Sequence, residues 1–362
     1  SLGDGKKVVL ISDPGVAAAG VTDGIRVALE SNGWRVALFD DFDGQAAVHS
    51  IDRAAELIRI ERPSAVVGLG GGSALDVAKL ATVVAGGDQG AEHYALMANA
   101  LPPRTPRMIM LPTTAGTGAE VTRTAVFSNT KDCNVWAWGD ELASDLVILD
   151  PDLTLTLPGS LTAATALDAM VHAIEACTNN RSNPVVRSWG LHAIRLIVEN
   201  LAQAIENPQN LDARTNLIIA ATLGGLAIDA VGTGIAHGIG HALGTIGRIH
   251  HGRAVALALE AVYLENAAAA VGIHARIAQA FGLQYDNDPP EALAIKGALF
   301  FSDFISRTGI EISLRHDGLG LADVDRLVAV VLSKENKPIC ENNCYTPDEA
   351  DIRKFVLRLL KR

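Results

Sequence analysis

The sequence predicts two domains of different class, an α/β domain over residues 1–155 and an all-α domain over residues 156–362. A chain of 362 residues is long for a single hydrophobic core, which favours two domains. In the first part, short β-branched runs alternate with segments of helical periodicity, the pattern of a parallel sheet covered by helices on both faces. Beyond Pro151 the chain is rich in alanine and leucine, and its pattern is helical almost throughout.

The elements of the α/β domain follow each other in a regular order. The strand-like runs are KKVVLIS, WRVALFDDF, SAVVGLGGGS, RMIMLPTTAGTG, TAVFSN, CNVWAW and SDLVILDP. The helical segments between the first four are VTDGIRVALESNG, SIDRAAELIRIERP and ALDVAKLATVVAGG, each ended by glycine or proline. We expect the domain boundary at PDLTLTLPGS, before LTAATALDAMVHAIEA opens the helical part.

Composition and charge restrict the kinds of molecule that the protein is expected to bind. Hydrophobic residues make up 49% of the chain, enough for a large buried core. The net charge of -11 and the lack of a Lys/Arg stripe argue against nucleic acid. Apolar runs are interrupted before the roughly 20 residues of a membrane span. The opening SLGDGKK shows no signal-peptide pattern, and the four cysteines are irregularly spaced, so we expect a cytoplasmic protein without disulfides.

A glycine loop, GLGGGSALD over residues 68–76, joins a predicted strand to a helix that starts at Ser73. It does not match the G-x-G-x-x-G pattern, because serine occupies the third glycine position, and it lacks the lysine of a P-loop. Gly70, Gly71 and Gly72 nevertheless allow a phosphate to approach the backbone at a helix N-terminus. The loop therefore predicts phosphate binding, with a plain strand-to-helix turn as the alternative.

Two further segments fit a dinucleotide. Asp40 and Asp41 end the second predicted strand, where an acid accepts the ribose hydroxyls and repels a 2′-phosphate, which favours NAD over NADP. Alternatively, both are solvated loop acids. The segment PTTAGTGAEVT supplies hydroxyls for a pyrophosphate or a nicotinamide at another strand end, from Thr113, Thr114, Thr117 and Thr122.

Histidines and an aspartate share the faces of two predicted helices. Asp168 and His172 are separated by one helical turn, as are His237 and His241, and His251 follows after a short loop. Singly, each histidine is more often a core residue. Together, in an alanine- and glycine-rich background, they are costly to bury unless a cation compensates them. One aspartate with three imidazoles suits Fe²⁺ or Zn²⁺, and such an ion acts as a Lewis acid on a substrate oxygen.

These motifs together resemble the iron-containing (group III) alcohol dehydrogenase family along almost the whole chain. The resemblance rests on GGGSALDVAK, PTTAGTGAEVT, ALDAMVHAIEACTNNRSNPV and GIAHGIGHALGTIGRIHHGRAVA. The segment CENNCYTP, Cys340 to Pro347, stands where the family has Cys-x-x-Asn-Pro-Arg. The resemblance implies a Rossmann-like N-terminal domain and a helical C-terminal domain, the dehydroquinate synthase-like architecture, with the cofactor and the metal in the cleft between them.

The resemblance also implies roles for particular residues. The metal ligands are Asp168, His172, His237 and His251, and His241 is the candidate proton relay near the nicotinamide. The residues of the cofactor site are Asp40, Gly70, Gly71, Gly72, Ser73, Thr113, Thr114, Thr117 and Thr122. His250 matches no ligand position.

The implied activity is hydride transfer between an alcohol or aldehyde and NAD, with NADP less favoured. The metal is Fe²⁺, with Zn²⁺ as the alternative, and the expected assembly is a homodimer. The first alternative is an NAD- and metal-dependent lyase of the dehydroquinate synthase type, which needs a more basic pocket than Arg248 and Arg253 provide. A metal-dependent hydrolase would leave the glycine and threonine loops without a role, and an inactive binding protein would not need the metal set.

Overall fold

The computed structural model describes residues 6–42, 44–284 and 288–361. The chain divides into two compact units. The first comprises Ser1–Thr114 and Gly118–Thr156, and the second comprises Ala115–Thr117 and Leu157–Arg362. Each unit has its own architecture.

The first unit is an α/β unit. Its strands are β1 (Lys7–Ser12), β2 (Arg35–Phe39), β3 (Ala65–Gly70), β4 (Arg107–Pro112), β5 (Thr124–Ser128), β6 (Asn134–Trp138) and β7 (Leu146–Val147). Its α-helices are α1 (Pro14–Ala18), α2 (Val21–Ser31), α3 (Val48–Glu61) and α4 (Gly72–Val84). Short 3-10 helices cover Ala91–Met97, Asp140–Leu142 and Pro151–Thr154.

Within the described residues, parallel pairing joins five of these strands in the order β2-β1-β3-β4-β7. Alternate residues of β1 pack on opposite faces of this sheet, each face being covered by its own layer of helices. Val9 and Ile11 pack in one core with residues of α3 and α4, whereas Leu10 packs in another with Val16 and Ile25 of α1 and α2. Both faces of the sheet are therefore covered, as the strand–helix alternation predicts.

Strands β5 and β6 form a separate antiparallel sheet, and Ser128 at the end of β5 also makes an isolated parallel bridge to Ala47. The sequence predicts both as strands but also predicts a parallel sheet for the whole region. The link between them, residues 129–133, is far shorter than the dozen or so residues that a parallel crossover requires. Chain length thus decides the antiparallel pairing.

The second unit is helical, as expected. Its α-helices are α5 (Gly159–Thr178), α6 (Pro184–Glu206), α7 (Leu211–Val231), α8 (Ile235–Gly247), α9 (His251–Ala269), α10 (Val271–Ala280), α11 (Pro290–Arg307), α12 (Val324–Val331), α13 (Lys337–Glu341) and α14 (Glu349–Leu360). Short 3-10 helices cover Arg315–Asp317 and Leu321–Asp323.

Helix α5 is the central element of the second unit, because its residues from Thr162 to Thr178 are all buried. Glycines of three neighbouring helices approach its backbone. A Cβ atom would lie 2.1 Å from the carbonyl oxygen of Ala164 if placed on Gly252. On Gly190 it would lie 2.8 Å from that of Ala173. On Gly224 it would lie 3.2 Å from that of Ala169. Absence of side chains at these points lets the helices pack at close range.

The same close approach explains why three residues of the threonine loop belong to the second unit. A Cβ atom on Gly116 would lie 2.8 Å from both the Cβ atom and the carbonyl oxygen of Thr165 on α5. The segment Ala115–Thr117 is therefore packed on α5, although the sequence predicts it as part of residues 1–155.

Helix α7 meets the length and hydropathy criteria of a membrane span, with a mean hydropathy of 1.3 over its most apolar window. The interrupted apolar runs of the sequence predict no such segment. Half of that window is buried inside the protein, and α7 packs against α5 and α6. Helices in the core of water-soluble domains reach the same length and hydropathy.

We predict that Gly252→Ala destabilises the second unit by about 1–3 kcal/mol, since the new methyl group forces α9 away from α5. Gly272→Ala is the matched control. Nothing lies within 4 Å of its Cβ position on α10, and we expect it to be neutral or stabilising by up to about 1 kcal/mol. Urea unfolding measures both effects. Equal stabilities for the two variants would contradict the proposed tight contact.

Candidate functional site

Helix α5 presents three polar side chains to one buried face. Asp168, His172 and Glu175 follow the i, i+4, i+7 spacing that aligns residues along a helix. Their exposed fractions are 2%, 4% and 1%, in a helix that is otherwise mostly apolar. Ionisable groups at this depth need compensating charges or hydrogen bonds.

The histidines of α8 and α9 reach the same face. Gly232, with φ of 78°, and Gly234 form the turn that precedes α8, and His237 lies in the first turn of this helix. Arg248, in the left-handed conformation, ends α8, and His251 begins α9. The short link between the two helices brings residues fourteen apart in sequence to one point.

Three imidazole nitrogens converge on one carboxylate oxygen. The Nε2 atoms of His172, His237 and His251 lie 3.7, 3.8 and 3.6 Å from Oδ1 of Asp168. Ligands of a tetrahedral metal ion with bonds near 2.1 Å stand about 3.4 Å apart, so the spacing fits a common ion. Asp168, His237 and His251 form a set whose potential ligand atoms all lie within 4.8 Å of one another. His172 lies outside that set, but its ring stacks on His237 with centroids 4.6 Å apart.

Two buried atoms of this cluster indicate that it binds a cation. Within the part of the chain that the structure describes, Oδ1 of Asp168 and Nε2 of His237 are buried without a hydrogen-bond partner. Such orphaned polar atoms are rare in folded proteins and require an explanation. A metal ion between them satisfies both, so the residues present fit the metal that their donor chemistry implies.

Glu175 supports the cluster from behind. Its carboxylate accepts hydrogen bonds from Nδ1 of His237 at 2.6 Å and from the backbone N–H of Ala236 at 2.7 Å. With the proton of His237 held on Nδ1, the lone pair on Nε2 faces Asp168, the usual arrangement behind a metal-binding histidine. Sequence reasoning missed Glu175, although its position seven residues after Asp168 was an available signal.

The charges of the site favour a cation. Burial raises the pKa of Asp168, but the surrounding histidines outweigh this effect and hold it below its usual range. Burial also lowers the pKa of His172 to about 4, which leaves its imidazole neutral and able to bind a metal. Burial would likewise lower the pKa of His237, but the carboxylates of Glu175 and Asp168 raise it to about 9. Two buried carboxylates thus attract a positive charge. A divalent ion supplies that charge and displaces the proton that Nε2 of His237 otherwise holds.

His241 lies beside the cluster. Its ring centroid is 5.7 Å from that of His251 and 6.3 Å from that of His237. Its Nδ1 atom is hydrogen-bonded to Oδ1 of Asn336 at 2.9 Å. Burial lowers the pKa of His241 to about 3, so its imidazole is neutral at physiological pH. Asn336 lies outside the sequence motifs that predict the site.

The glycine loop of the first unit lies at the carboxyl edge of the parallel sheet. Gly70 ends β3 with φ of 150°, and Gly71 is the N-cap of α4. Helix α4 begins at Gly72, one residue before the predicted start at Ser73. A Cβ atom on Gly70 would lie 2.7 Å from Oδ2 of Asp13, which follows the neighbouring strand β1. In the strand order, β2 lies on one side of β1 and β3 lies on the other, so the chain changes direction across the sheet between β1 and β3. α/β proteins bind ligands at the carboxyl edge of the sheet next to such a switch point.

The predicted cofactor residues are only partly gathered there. Asp40 follows β2 at the same edge, and Thr113 donates its backbone N–H to the Gly70 carbonyl at 2.9 Å. Asp41 pairs instead with Arg53 at the surface. The hydroxyl of Thr122 lies 3.2 Å from the ammonium of buried Lys79, so it takes part in the fold. Thr117 belongs to the second unit.

Comparison with known proteins identifies the family to which the chain belongs. The model of the iron-containing alcohol dehydrogenase family matches residues 1–151, and that of the family's C-terminal domain matches residues 162–360. Choline dehydrogenase of Bacillus subtilis (strain 168) is 31% identical over 324 residues, 89% of this chain and 80% of the relative. The chain belongs to the iron-containing alcohol dehydrogenase family.

Two solved structures share the fold. The crystal structure of a 1,3-propanediol oxidoreductase has a TM-score of 0.91 at 30% identity and covers 98% of this chain and 92% of its own. Sulfoacetaldehyde reductase from Bifidobacterium kashiwanohense, solved in complex with NAD⁺, has a TM-score of 0.87 at 28% identity, with coverages of 98% and 90%.

Membership defines the protein as an oxidoreductase that acts on alcohols with NAD and a metal. The lyase alternative of the dehydroquinate synthase type is wrong, since the matching family models and relatives are alcohol dehydrogenases. Arg253, one of the two arginines near the histidine motif, is paired with Asp317 at 2.8 Å and therefore has a structural role.

We predict that Glu175→Gln weakens metal binding about 10- to 100-fold, because it removes the charge behind His237 and keeps the side-chain size. Calorimetric titration of metal-free protein with Zn²⁺ measures the affinity. Glu199→Gln, an exposed position on α6, is the control and should bind Zn²⁺ as the parent does. Unchanged affinity in Glu175→Gln would show that this carboxylate serves only the fold.

Proposed function

We propose that this protein interconverts a small alcohol and its aldehyde with NAD(H), using a divalent metal ion held by Asp168, His172, His237 and His251. The observation that supports this set most strongly is the convergence of three Nε2 atoms on Oδ1 of Asp168. The ion is Fe²⁺, in keeping with the family, and Zn²⁺ suits the same ligands. Residues 156–362 supply this metal centre, and residues 1–155 bind the cofactor.

When bound, the metal lowers the pKa of a substrate hydroxyl, and NAD accepts a hydride at its nicotinamide ring. The protein's own residues prepare these steps. Glu175 keeps the proton of His237 on Nδ1, so that Nε2 is free to coordinate. His172 remains neutral for the same purpose. Asp168 provides the negative charge at the centre of the set.

His241 is proposed to move the proton that the alcohol loses. It stands beside the cluster without belonging to the set, and its imidazole is neutral and half-buried. A neutral imidazole accepts a proton at the nitrogen that does not carry one. The separation of ligand and proton-transfer roles between His237 and His241 follows from their separate partners, Glu175 and Asn336.

Cofactor binding is proposed at the carboxyl edge of the sheet. The pyrophosphate binds at Gly70, Gly71, Gly72 and Ser73, where the first turn of α4 has no side-chain cap. Asp40 accepts the ribose hydroxyls from the end of β2. The further cofactor contacts proposed are Thr113, Thr114, Thr117 and Thr122. For Thr122 the proposal requires its hydroxyl to be shared with Lys79.

The protein is proposed to be a cytoplasmic homodimer. Its proposed substrates are small molecules, and it is not proposed to bind nucleic acid or membranes. The four cysteines, all free in the structure, support a reducing compartment. The net charge of -11 disfavours nucleic acid. Sedimentation velocity of the purified protein tests the dimer.

The first experiment joins metal content to cofactor reduction. Protein reconstituted anaerobically with Fe²⁺ or Zn²⁺ is offered a panel of alcohols, diols and hydroxy acids with NAD. We expect close to one ion per chain and NADH formation from one substrate class. A full metal load without NADH from any member of the panel would contradict alcohol oxidation of this range, and no bound metal would contradict the site.

Replacing one ligand should separate the metal from the cofactor. We predict that His251→Ala loses metal and activity, while NAD still binds with the affinity of the parent. His250→Ala, at the adjacent non-ligand position, should keep both metal and activity. Elemental analysis and NAD fluorescence titration measure these effects. Parent-level metal in His251→Ala would exclude that residue from the ligand set.

Asp40 should set the choice between NAD and NADP. We predict that Asp40→Gly raises NADP use relative to NAD about tenfold or more, since it removes a carboxylate that repels the 2′-phosphate. Asp41→Gly is the control, because that neighbouring acid is already paired with Arg53. The ratio of kcat/KM for the two cofactors is measured. An equal ratio in parent and Asp40→Gly would show that Asp40 is only a loop acid.

A further inference from the structure

Asn336 lies outside the sequence motifs of the site, yet its side chain contacts His241, the residue proposed to move the proton. It precedes the short helix α13 and is only 4% exposed. Its backbone carbonyl accepts from the N–H groups of Ile339 and Cys340 at 3.0 Å each. The residue is therefore held in place by its own main chain before any contact with the site is considered.

The orientation of the Asn336 amide is determined by its two partners. Its Nδ2 atom donates to the carbonyl oxygen of Val330 at 2.9 Å, which places the amide oxygen toward His241. A carbonyl oxygen accepts hydrogen bonds and never donates them. Nδ1 of His241 must therefore carry the proton, and Nε2 of the neutral ring must carry the lone pair.

A second observation links the same segment to α8. Asn342, six residues after Asn336, donates from Nδ2 to the carbonyls of Val231 at 2.7 Å and Thr233 at 2.8 Å. The first carbonyl ends α7 and the second lies in the turn that leads into α8, the helix of His237 and His241. The segment thus anchors the start of α8 through Asn342 and the imidazole of His241 through Asn336.

We propose that Asn336 is a positioning residue for the alcohol–aldehyde reaction: it holds His241 as the Nδ1–H tautomer, so that Nε2 is the atom that accepts the alcohol proton. The inference rests on the proposed function of this site. It also assigns a role to the segment next to Cys340–Pro347, where the sequence departs from the family's Cys-x-x-Asn-Pro-Arg pattern.

Two substitutions and one control test this assignment. Asn336→Leu keeps the volume and removes the acceptor, whereas Asn336→Asp keeps an acceptor facing Nδ1. Asn200→Leu is the control for replacing a buried asparagine, since that amide contacts Leu196 and Asn216 and no histidine. Each protein is loaded with Zn²⁺, which is diamagnetic, and the tautomer of His241 is read from long-range ¹H–¹⁵N NMR correlations. The signals are assigned by their loss in His241→Gln.

We expect the Nδ1–H tautomer in the parent, in Asn336→Asp and in Asn200→Leu. In Asn336→Leu we expect the Nε2–H form or a mixture, with kcat lower by about 10- to 100-fold, KM within about twofold and full zinc content. The kcat of Asn336→Asp should exceed that of Asn336→Leu. This pattern separates an effect on proton transfer from damage to the metal site.

Several outcomes would overturn the assignment. These are an Nε2–H tautomer in the parent, an unchanged tautomer in Asn336→Leu, a changed tautomer with parent kcat, or a fall in kcat that follows zinc loss. If the parent oxidises no alcohol, the proposed function fails, and the tautomer measurements alone then decide whether Asn336 positions His241.

Discussion

The buried charge of Asp168 and Glu175 is the constraint on which the helical unit depends. Both carboxylates lie on one face of α5, and burial at 2% and 1% exposure removes them from water. Burying ionised carboxylates costs free energy unless positive charges and N–H donors from other helices compensate them. Ala236 and His237 on α8 supply such contacts to Glu175, and His251 on α9 reaches Asp168. The positions of α8 and α9 and the convergence of their histidines on α5 therefore have the same physical cause.

Close helix packing brings the side chains of this cluster together. A metal site requires side-chain atoms within a few ångströms of each other, and bulky residues between helices would hold them apart. Gly252 lets the start of α9 contact Ala164, one turn before Asp168, so its neighbour His251 arrives at the carboxylate. Gly240 gives a similar close approach between α8 and Val255 of α9. The glycines of these helices lower helix propensity, but they allow the side chains of the cluster to meet.

The two neighbouring histidines of α8 show how a partner determines a role. His237 and His241 are one turn apart on the same helix and belong to the same motif. Glu175, a charged acceptor, faces Nδ1 of His237, whereas the neutral amide of Asn336 faces Nδ1 of His241. The charged partner raises the pKa of one imidazole to about 9, and burial without such a partner lowers the other to about 3. The carboxylates thereby make His237 the more basic of the two imidazoles and turn its Nε2 atom toward Asp168, whereas burial keeps the imidazole of His241 neutral.

The sequence by itself determined the features that depend on local spacing. Alternating strand and helix patterns indicated the parallel sheet, the i, i+4 spacing placed Asp168 beside His172, and three glycines marked the turn into α4. Contacts between residues distant in sequence were decided only by the tertiary structure. Glu175 and His237 are 62 residues apart and His241 and Asn336 are 95 apart, so no local pattern connects them. The engagement of Thr122 with Lys79 and the packing of Ala115–Thr117 on α5 were hidden for the same reason. Periodicity reports which face of an element is buried, but the partner on that face is chosen by the fold.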